Sequence, residues 1–232
     1  MEPNYSSLVS SELFDWRPAA SYVLSAAVGA FFEEYSKQLN AAQAEAVAAT
    51  EGPLLILAGA GSGKTRVLTA RIAHLVLDHG VPLSRILAMT FSNKAAREMH
   101  DRVKSLLQDD STIRYPWIST FHSVCVRLLR QYGGRVGLET GFAIYDSSDQ
   151  MALVKDAFEL LKISDKTYHP KAVHAQISSW KNDGKFPAQV ASSSRASHFV
   201  ETASKIYVAY QAELLKAQAV DFDDLLLYGH QL

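Results

Sequence analysis

One segment limits what this chain can fold into more than any other. Ala58–Thr65 reads Ala-Gly-Ala-Gly-Ser-Gly-Lys-Thr, directly after the apolar run Leu54–Ala58 and directly before an amphipathic stretch from Lys64 to about His79. The spacing is that of the phosphate loop, G-x-x-x-x-G-K-[ST], with Ala58 in the place of the first glycine. A short continuous apolar run such as LLILA is the pattern of a strand buried on both faces of a parallel sheet. The glycines let the backbone N–H groups of Gly59, Ala60, Gly61, Ser62 and Gly63 turn inward around a phosphate, while the next helix points its positive end at the anion. Lys64 is expected to neutralise β- and γ-phosphate oxygens and the Thr65 hydroxyl to ligate Mg²⁺. Together they predict a nucleotide site in an α/β protein.

The neighbouring segments extend that alternation. Asn40-x-x-Gln43 opens a helix that runs to Ala49 and stops at Gly52-Pro53. Ile86–Phe91 is a second apolar run, followed by a helix from about Lys94 to Leu107. Trp117–Thr120 is a third strand candidate, followed by a helix over Phe121–Tyr132 that Gly133-Gly134 ends. The order β-α-β-α-β-α with short joints builds a parallel sheet with helices on its faces. After Gly137 helical stretches dominate, near Asp149–Lys162, Pro170–Lys181, His198–Lys216 and Asp221–Tyr228, with a serine-rich joint at Ser192–Ser194. This predicts a mostly helical subdomain inserted into the α/β core, leaving it near Phe121–Arg135 and returning near Val220.

Composition removes several classes. The 232 residues are 48% hydrophobic, enough for a core, which excludes intrinsic disorder. The single cysteine, Cys125, can neither close an internal disulfide nor build a zinc site alone. The longest apolar stretch, Tyr22–Phe32, is broken by Ser25 and Gly29 and falls short of the ~20 residues that cross a bilayer. Its acidic upstream flank makes a poor targeting signal, so it is expected to form a surface or capping helix. The net charge of −1 hides an asymmetry. Gly61–Arg135 holds twelve basic groups and five acidic ones, a local balance of +7. A phosphate-bearing partner needs such a region, although ordinary solvated helix faces would give the same count.

Further segments fall in one order around the loop. Leu39-Asn40-Ala-Ala-Gln43 precedes it and Arg66 follows it. Then come Met89-Thr-Phe-Ser-Asn-Lys-Ala-Ala-Arg-Glu-Met99, and Ser119-Thr-Phe-His122 leading into Val126-Arg127-Leu-Leu-Arg130. Phe142-Ala-Ile-Tyr-Asp146 with Asp149-Gln150, Trp180-Lys-Asn-Asp-Gly184 and Asp221-Phe-Asp-Asp-Leu-Leu226 complete the set. Taken together, from about Leu39 to Leu227, these resemble the amino-terminal part of a UvrD/Rep/PcrA-type superfamily 1 DNA helicase.

The resemblance implies a RecA-like P-loop parallel sheet with helices on both faces, plus the helical insertion. It divides the chain into an extension of unknown role (1–37), the first part of the ATPase lobe (38–121), the inserted subdomain (122–219) and a return to the lobe (220–232). It implies a motor moving 3′ to 5′ on single-stranded DNA in repair or replication restart, with ATP and Mg²⁺ as cofactors and Thr65 as the metal ligand. Gln43 matches the glutamine that reads the adenine edge, and Arg66 a residue beside the base; Gln43 also suits a helix cap, and the two roles are compatible. Thr90, Phe91, Ser92 and Asn93 match a segment that touches single-stranded DNA, where Phe91 can stack on a base and Ser92 and Asn93 hold phosphates. Thr120, Phe121 and His122 repeat that position at the next strand end, with His122 either donating to a phosphate or packing as a cap. Asp221, Asp223 and Asp224 read as a helix cap and first-turn acids rather than as a metal cluster. The expected partners are single-stranded DNA and single-strand/duplex junctions, with no membrane; no protein partner is legible. The expected location is the cytoplasm at a bacterial nucleoid, or the nucleus of a eukaryote.

A motor of this type also needs an Asp-Glu-x-Gln-Asp strand and an arginine finger from a second lobe. The sequence after Leu54 shows no such acidic motif, so this chain is expected to hold half of an ATP site and to be inactive alone. Two other readings stand: a non-catalytic nucleotide- and DNA-binding module, and a different P-loop enzyme such as a kinase.

Overall fold

The computed structural model describes residues 30–108, 117–190 and 197–232. The chain is mixed α/β and mostly helical, with two small parallel sheets among the described residues, and it divides into two compact units.

The first unit comprises the chain up to Arg85 together with Val103–Asp109. Its helices are α1 (Ala30–Ser36), α2 (Ala41–Ala48) and α3 (Lys64–Leu77). Eight residues are too few for a helix to persist alone, and α2 is held at both ends. Asn40 accepts from the Gln43 N–H at 2.9 Å while the Gln43 side chain accepts from the Asn40 N–H at 3.1 Å. At its other end Arg71 of α3 donates to the carbonyls of Ala46 and Ala49. Val47 then packs on Val67 and Ala70 of α3, flanked by Phe32, Tyr35 and Leu39. Helix α1 starts on Asp78, whose carboxylate accepts the N–H groups of Phe31 at 3.1 Å and Phe32 at 2.9 Å. A residue more than forty positions away thus does the work of a helix N-cap. Most of the expected Tyr22–Phe32 helix lies outside the described residues; Ala30–Phe32 begin α1.

One expectation fails here. Leu54–Ala58 is not a strand, and Leu55 and Leu57 are 81% and 88% exposed. A strand exists only within a ladder, because its N–H and C=O groups need partners across it. None of the described residues pairs with this run.

The second unit comprises Ile86–Arg102 and Asp110–Leu232. Strand β1 (Ala88–Thr90) pairs in parallel with β2 (Ile118–Thr120), Ala88 opposite Ile118 and Thr90 opposite Thr120. Each leads into a helix, β1 through Phe91 and Ser92 into α4 (Asn93–Leu106) and β2 directly into α5 (Phe121–Tyr132). Equal register therefore brings both strand-to-helix joints to one level. A second parallel pair, β3 (Ala143–Ile144) and β4 (Ala219–Val220), has no counterpart in the sequence pattern, since two residues carry no alternation to read. Between β3 and β4 lie α6 (Ser147–Leu160), α7 (Pro170–Asn182), α8 (Pro187–Val190) and α9 (His198–Lys216), and α10 (Phe222–Gln231) follows. Ile206, Tyr207, Tyr210 and Leu214 of α9 pack against Val154 and Phe158 of α6 and Val173, Ile177 and Trp180 of α7. A smaller core joins Leu129 of α5, Phe142, Val220, and Leu225 and Tyr228 of α10. The Ser192–Ser194 joint lies outside the described residues.

Candidate functional site

The phosphate loop belongs to the first unit. Gly61 and Gly63 adopt φ of +75° and +86°, a region that side chains with a Cβ rarely occupy. Gly63 is constrained twice, because a Cβ there would lie 2.8 Å from Gln43 Nε2. That amide donates to the Ser62 carbonyl at 2.9 Å, so Gln43 caps α2 with its oxygen and clips the loop with its nitrogen. Ser62 Oγ closes the turn on the Gly59 carbonyl at 2.8 Å. Lys64 Nζ donates to the carbonyls of Ala58 at 3.1 Å and Gly59 at 2.6 Å, which folds its ammonium over the loop. Gly59, Ala60, Gly61, Ser62 and Lys64 are exposed, Thr65 is half-buried, and the first turn of α3 carries no acidic residue. Exposed loop residues, a helix N-terminus and a lysine that pairs with no carboxylate among the described residues suit an anion.

Arg66 has partners that no sequence signal announced. Its guanidinium sits 5.7 Å from the Tyr35 ring centroid, with Nε 3.5 Å from Tyr35 Oη and Nη2 3.3 Å from Gln38 Oε1. Beneath this, His74 and Asp78 form a buried pair at 2.6 Å. Burial pushes the Asp78 carboxyl up, but hydrogen bonds from His74, Phe32 and Phe31 outweigh it and hold the group below the usual carboxylate range.

The second unit carries an aromatic ledge at the joint after β1 and β2. Phe91 is 93% exposed, and its ring centroid lies 5.1 Å from that of Phe121 at an interplanar angle of 44°. Phe91 is therefore no core residue. Ser92 Oγ accepts from the Ala95 N–H at 3.2 Å and caps α4, leaving Asn93 and Lys94 exposed on its first turn. Thr90 is half-buried in β1. Thr120 is buried, and its hydroxyl accepts from the Ser123 N–H at 3.2 Å to cap α5. His122 is half-buried, with its ring 6.0 Å from that of Phe222, which is itself 50% exposed. Sequence reasoning passed over Phe222, although an aromatic among three aspartates in a helix's first turn was a usable signal.

The charge asymmetry thins on inspection. Arg71 caps α2, Arg102 pairs with Glu98 at 2.5 Å, and Arg130 lies 3.9 Å over the Phe142 ring while donating to the Thr140 carbonyl at 2.6 Å. Lys94 and Arg97, on α4 just beyond Phe91, remain exposed. Arg114 lies outside the described residues.

Asp221 is the N-cap of α10, accepting from the Asp224 N–H at 2.7 Å, while Asp224 accepts from the Asp221 N–H at 3.3 Å. Among the described residues no group of His, Cys, Asp and Glu is arranged to hold a metal ion. A cation does sit there: Lys181 Nζ lies 2.6 Å from Asp221 and 2.8 Å from Asp224. Burial raises the Asp224 carboxyl to about 6 against the pull of Lys181, with Asp221 adding to the rise.

Among the described residues, no helix is long and apolar enough to cross a membrane. The profile of the UvrD/REP helicase N-terminal domain family matches residues 39–232. Over 195 residues, 84% of this chain, the sequence is 50% identical to the ATP-dependent DNA helicase PcrA of Leuconostoc citreum. It is 46% identical over 189 residues to the protein of the same name from Staphylococcus aureus, and 45% over 191 residues to that of Staphylococcus epidermidis, each match covering 82% of this chain. The chain spans about a quarter, 26%, of the length of each of these relatives.

Proposed function

This chain belongs to the UvrD/REP helicase N-terminal domain family, and from that premise we propose that it is the nucleotide- and DNA-binding part of an ATP-dependent DNA helicase. In this reading Gly59–Thr65 cradles the phosphates of ATP, with Ala58 at the loop's start and Lys64 turning from the Ala58 and Gly59 carbonyls to phosphate oxygens. Thr65 would hold Mg²⁺, which when bound supplies positive charge to the β- and γ-phosphates. Gln43 and Arg66 flank the place of the base. The lobe carrying the loop is RecA-like, and the helices from α6 to α9 form a subdomain inserted into it between about residues 122 and 219. The β3–β4 pairing supports that insertion, since it draws the outgoing and returning chain together.

The observation that carries the DNA half of the proposal is the exposure of Phe91. A phenylalanine held in water at a strand-to-helix joint, paired with Phe121 and followed by Ser92, Asn93 and an exposed helix N-terminus, offers stacking and phosphate contacts. His122 and Phe222 extend the same surface. Single-stranded DNA fits it, because unpaired bases present their faces and duplex bases do not. On this reading translocation runs 3′ to 5′ and the substrate includes single-strand/duplex junctions. Fluorescence anisotropy with labelled single-stranded and duplex oligonucleotides of one length tests the proposal. The single strand should bind more tightly, with little sequence preference and steep salt dependence. A preference for duplex would overturn it.

A further inference from the structure

We propose that Lys181 is a positioning residue for single-stranded DNA, acting through a buried ion cluster that sets the first turn of α10 and so aims Phe222 beside His122. The proposal rests on the aromatic ledge being the DNA surface.

The Lys181 side chain is fully buried, at the end of α7. Its ammonium donates to Asp221 Oδ2 at 2.6 Å, pairs with Asp224 Oδ1 at 2.8 Å, and lies 5.0 Å over the Tyr210 ring. Tyr210 Oη also donates to Asp221 Oδ2 at 2.8 Å, and Gln211 Nε2 donates to Asp224 Oδ2 at 3.1 Å. Next in the chain, Asn182 Nδ2 reaches Asp223 Oδ1 at 3.4 Å. Donors from α7 and α9 therefore grip residues 221, 223 and 224, which surround Phe222 in sequence.

Stability does not account for this arrangement. Two carboxylates share one cation away from water, and the Gln211 Oε1 is buried without a hydrogen-bond partner. Buried ion pairs are commonly no more stabilising than well-packed apolar residues of the same volume. What the cluster supplies is direction. Apolar packing lets a helix slide or rotate by small amounts, whereas five polar contacts from two helices fix the rotation of a single turn. Asp221 and Asp224 are buried, while Phe222 projects half into water. The inward grip on the aspartates thus determines where the aromatic ring stands, and Trp180-Lys-Asn and Asp-Phe-Asp-Asp become two halves of one device.

A double-mutant cycle on the 232-residue chain, read by anisotropy with a labelled oligo-dT strand, tests this. Lys181→Met should weaken binding about three- to tenfold in the wild-type background and about as much in Phe91→Ala. In Phe222→Ala the same substitution should change affinity by less than about twofold, because the residue it positions is gone. A merely structural loss would weaken binding equally in all three backgrounds, and that result overturns the proposal. Should Lys181→Met lose its cooperative melting transition, Tyr210→Phe removes only the hydroxyl bond to Asp221. It should show the same dependence on Phe222 with a smaller effect, and equal losses in every background would again refute the idea. If Phe222→Ala alone leaves affinity unchanged, the ledge does not extend to Phe222, and the inference falls with that part of the functional reading.

Discussion

Phe91→Ala should separate binding from folding, because the side chain stands almost wholly in water. Phenylalanine presents roughly 150–250 Å² when it is covered, but here less than a tenth of the residue is. The apolar area removed from water on folding is then under about 25 Å², worth under about 0.6 kcal/mol. The tilted packing on Phe121, at 5.1 Å, adds about 1.5 kcal/mol at most. Folding stability should therefore fall by no more than about 2 kcal/mol. Stacking on an unpaired base is worth about 1–3 kcal/mol, a factor of about 5 to 150 in Kd. Since an aromatic ring neutralises no phosphate, the slope of log K against log salt should stay the same, whereas removing a cation that neutralises one phosphate would flatten it by about 0.7. Anisotropy at four salt concentrations, alongside a urea melt, measures all three quantities. Wild-type affinity in Phe91→Ala would refute the stacking argument, and so would a flattened slope.

The loop, the helix pair and the acid response give three further expectations. Lys64→Ala should weaken Mg²⁺–ATP binding at least about tenfold and ADP binding less, because the lysine serves both β- and γ-phosphates; equal ATP affinities by calorimetry would sink the loop assignment. Gly229→Ala should destabilise the chain by about 1–3 kcal/mol in urea, despite alanine's better helix propensity, because its Cβ would stand 2.8 Å from Cys125 Sγ and 3.2 Å from Cys125 Cβ. Asp78 has its folded pKa lowered, so it contributes stability above the ordinary carboxylate range, and that contribution is lost as pH falls through the lowered value. Acid titration of the melting temperature should show this loss in the wild type and not in Asp78→Asn, which should instead lose the contribution at every pH.

Sequence and tertiary structure contributed differently, and the division follows the range of the forces involved. Short-range chemistry was legible. The positive φ of Gly61 and Gly63, the Asn40–Gln43 box, the Asp221 cap and the helices over Phe121–Tyr132 and His198–Lys216 depend on neighbours within about four residues. Periodicity and turn chemistry encode such features directly. The fate of Leu54–Ala58 was not legible, because a strand is defined by partners that its own residues do not carry. The same holds for the β3–β4 pair, for Asp78 capping a helix more than forty residues away, and for the hold of Tyr35 and Gln38 on Arg66. At the candidate site, the sequence by itself determined that a phosphate loop and a Thr-Phe-Ser-Asn segment are present. Only the tertiary structure decided that Phe91 stands in water, that the Thr120 hydroxyl caps α5, and that Phe222 stands beside His122. Exposure and side-chain partnership depend on which helices meet, and Lys181 reaches Asp221 and Asp224 across forty residues only because α7, α9 and α10 pack together.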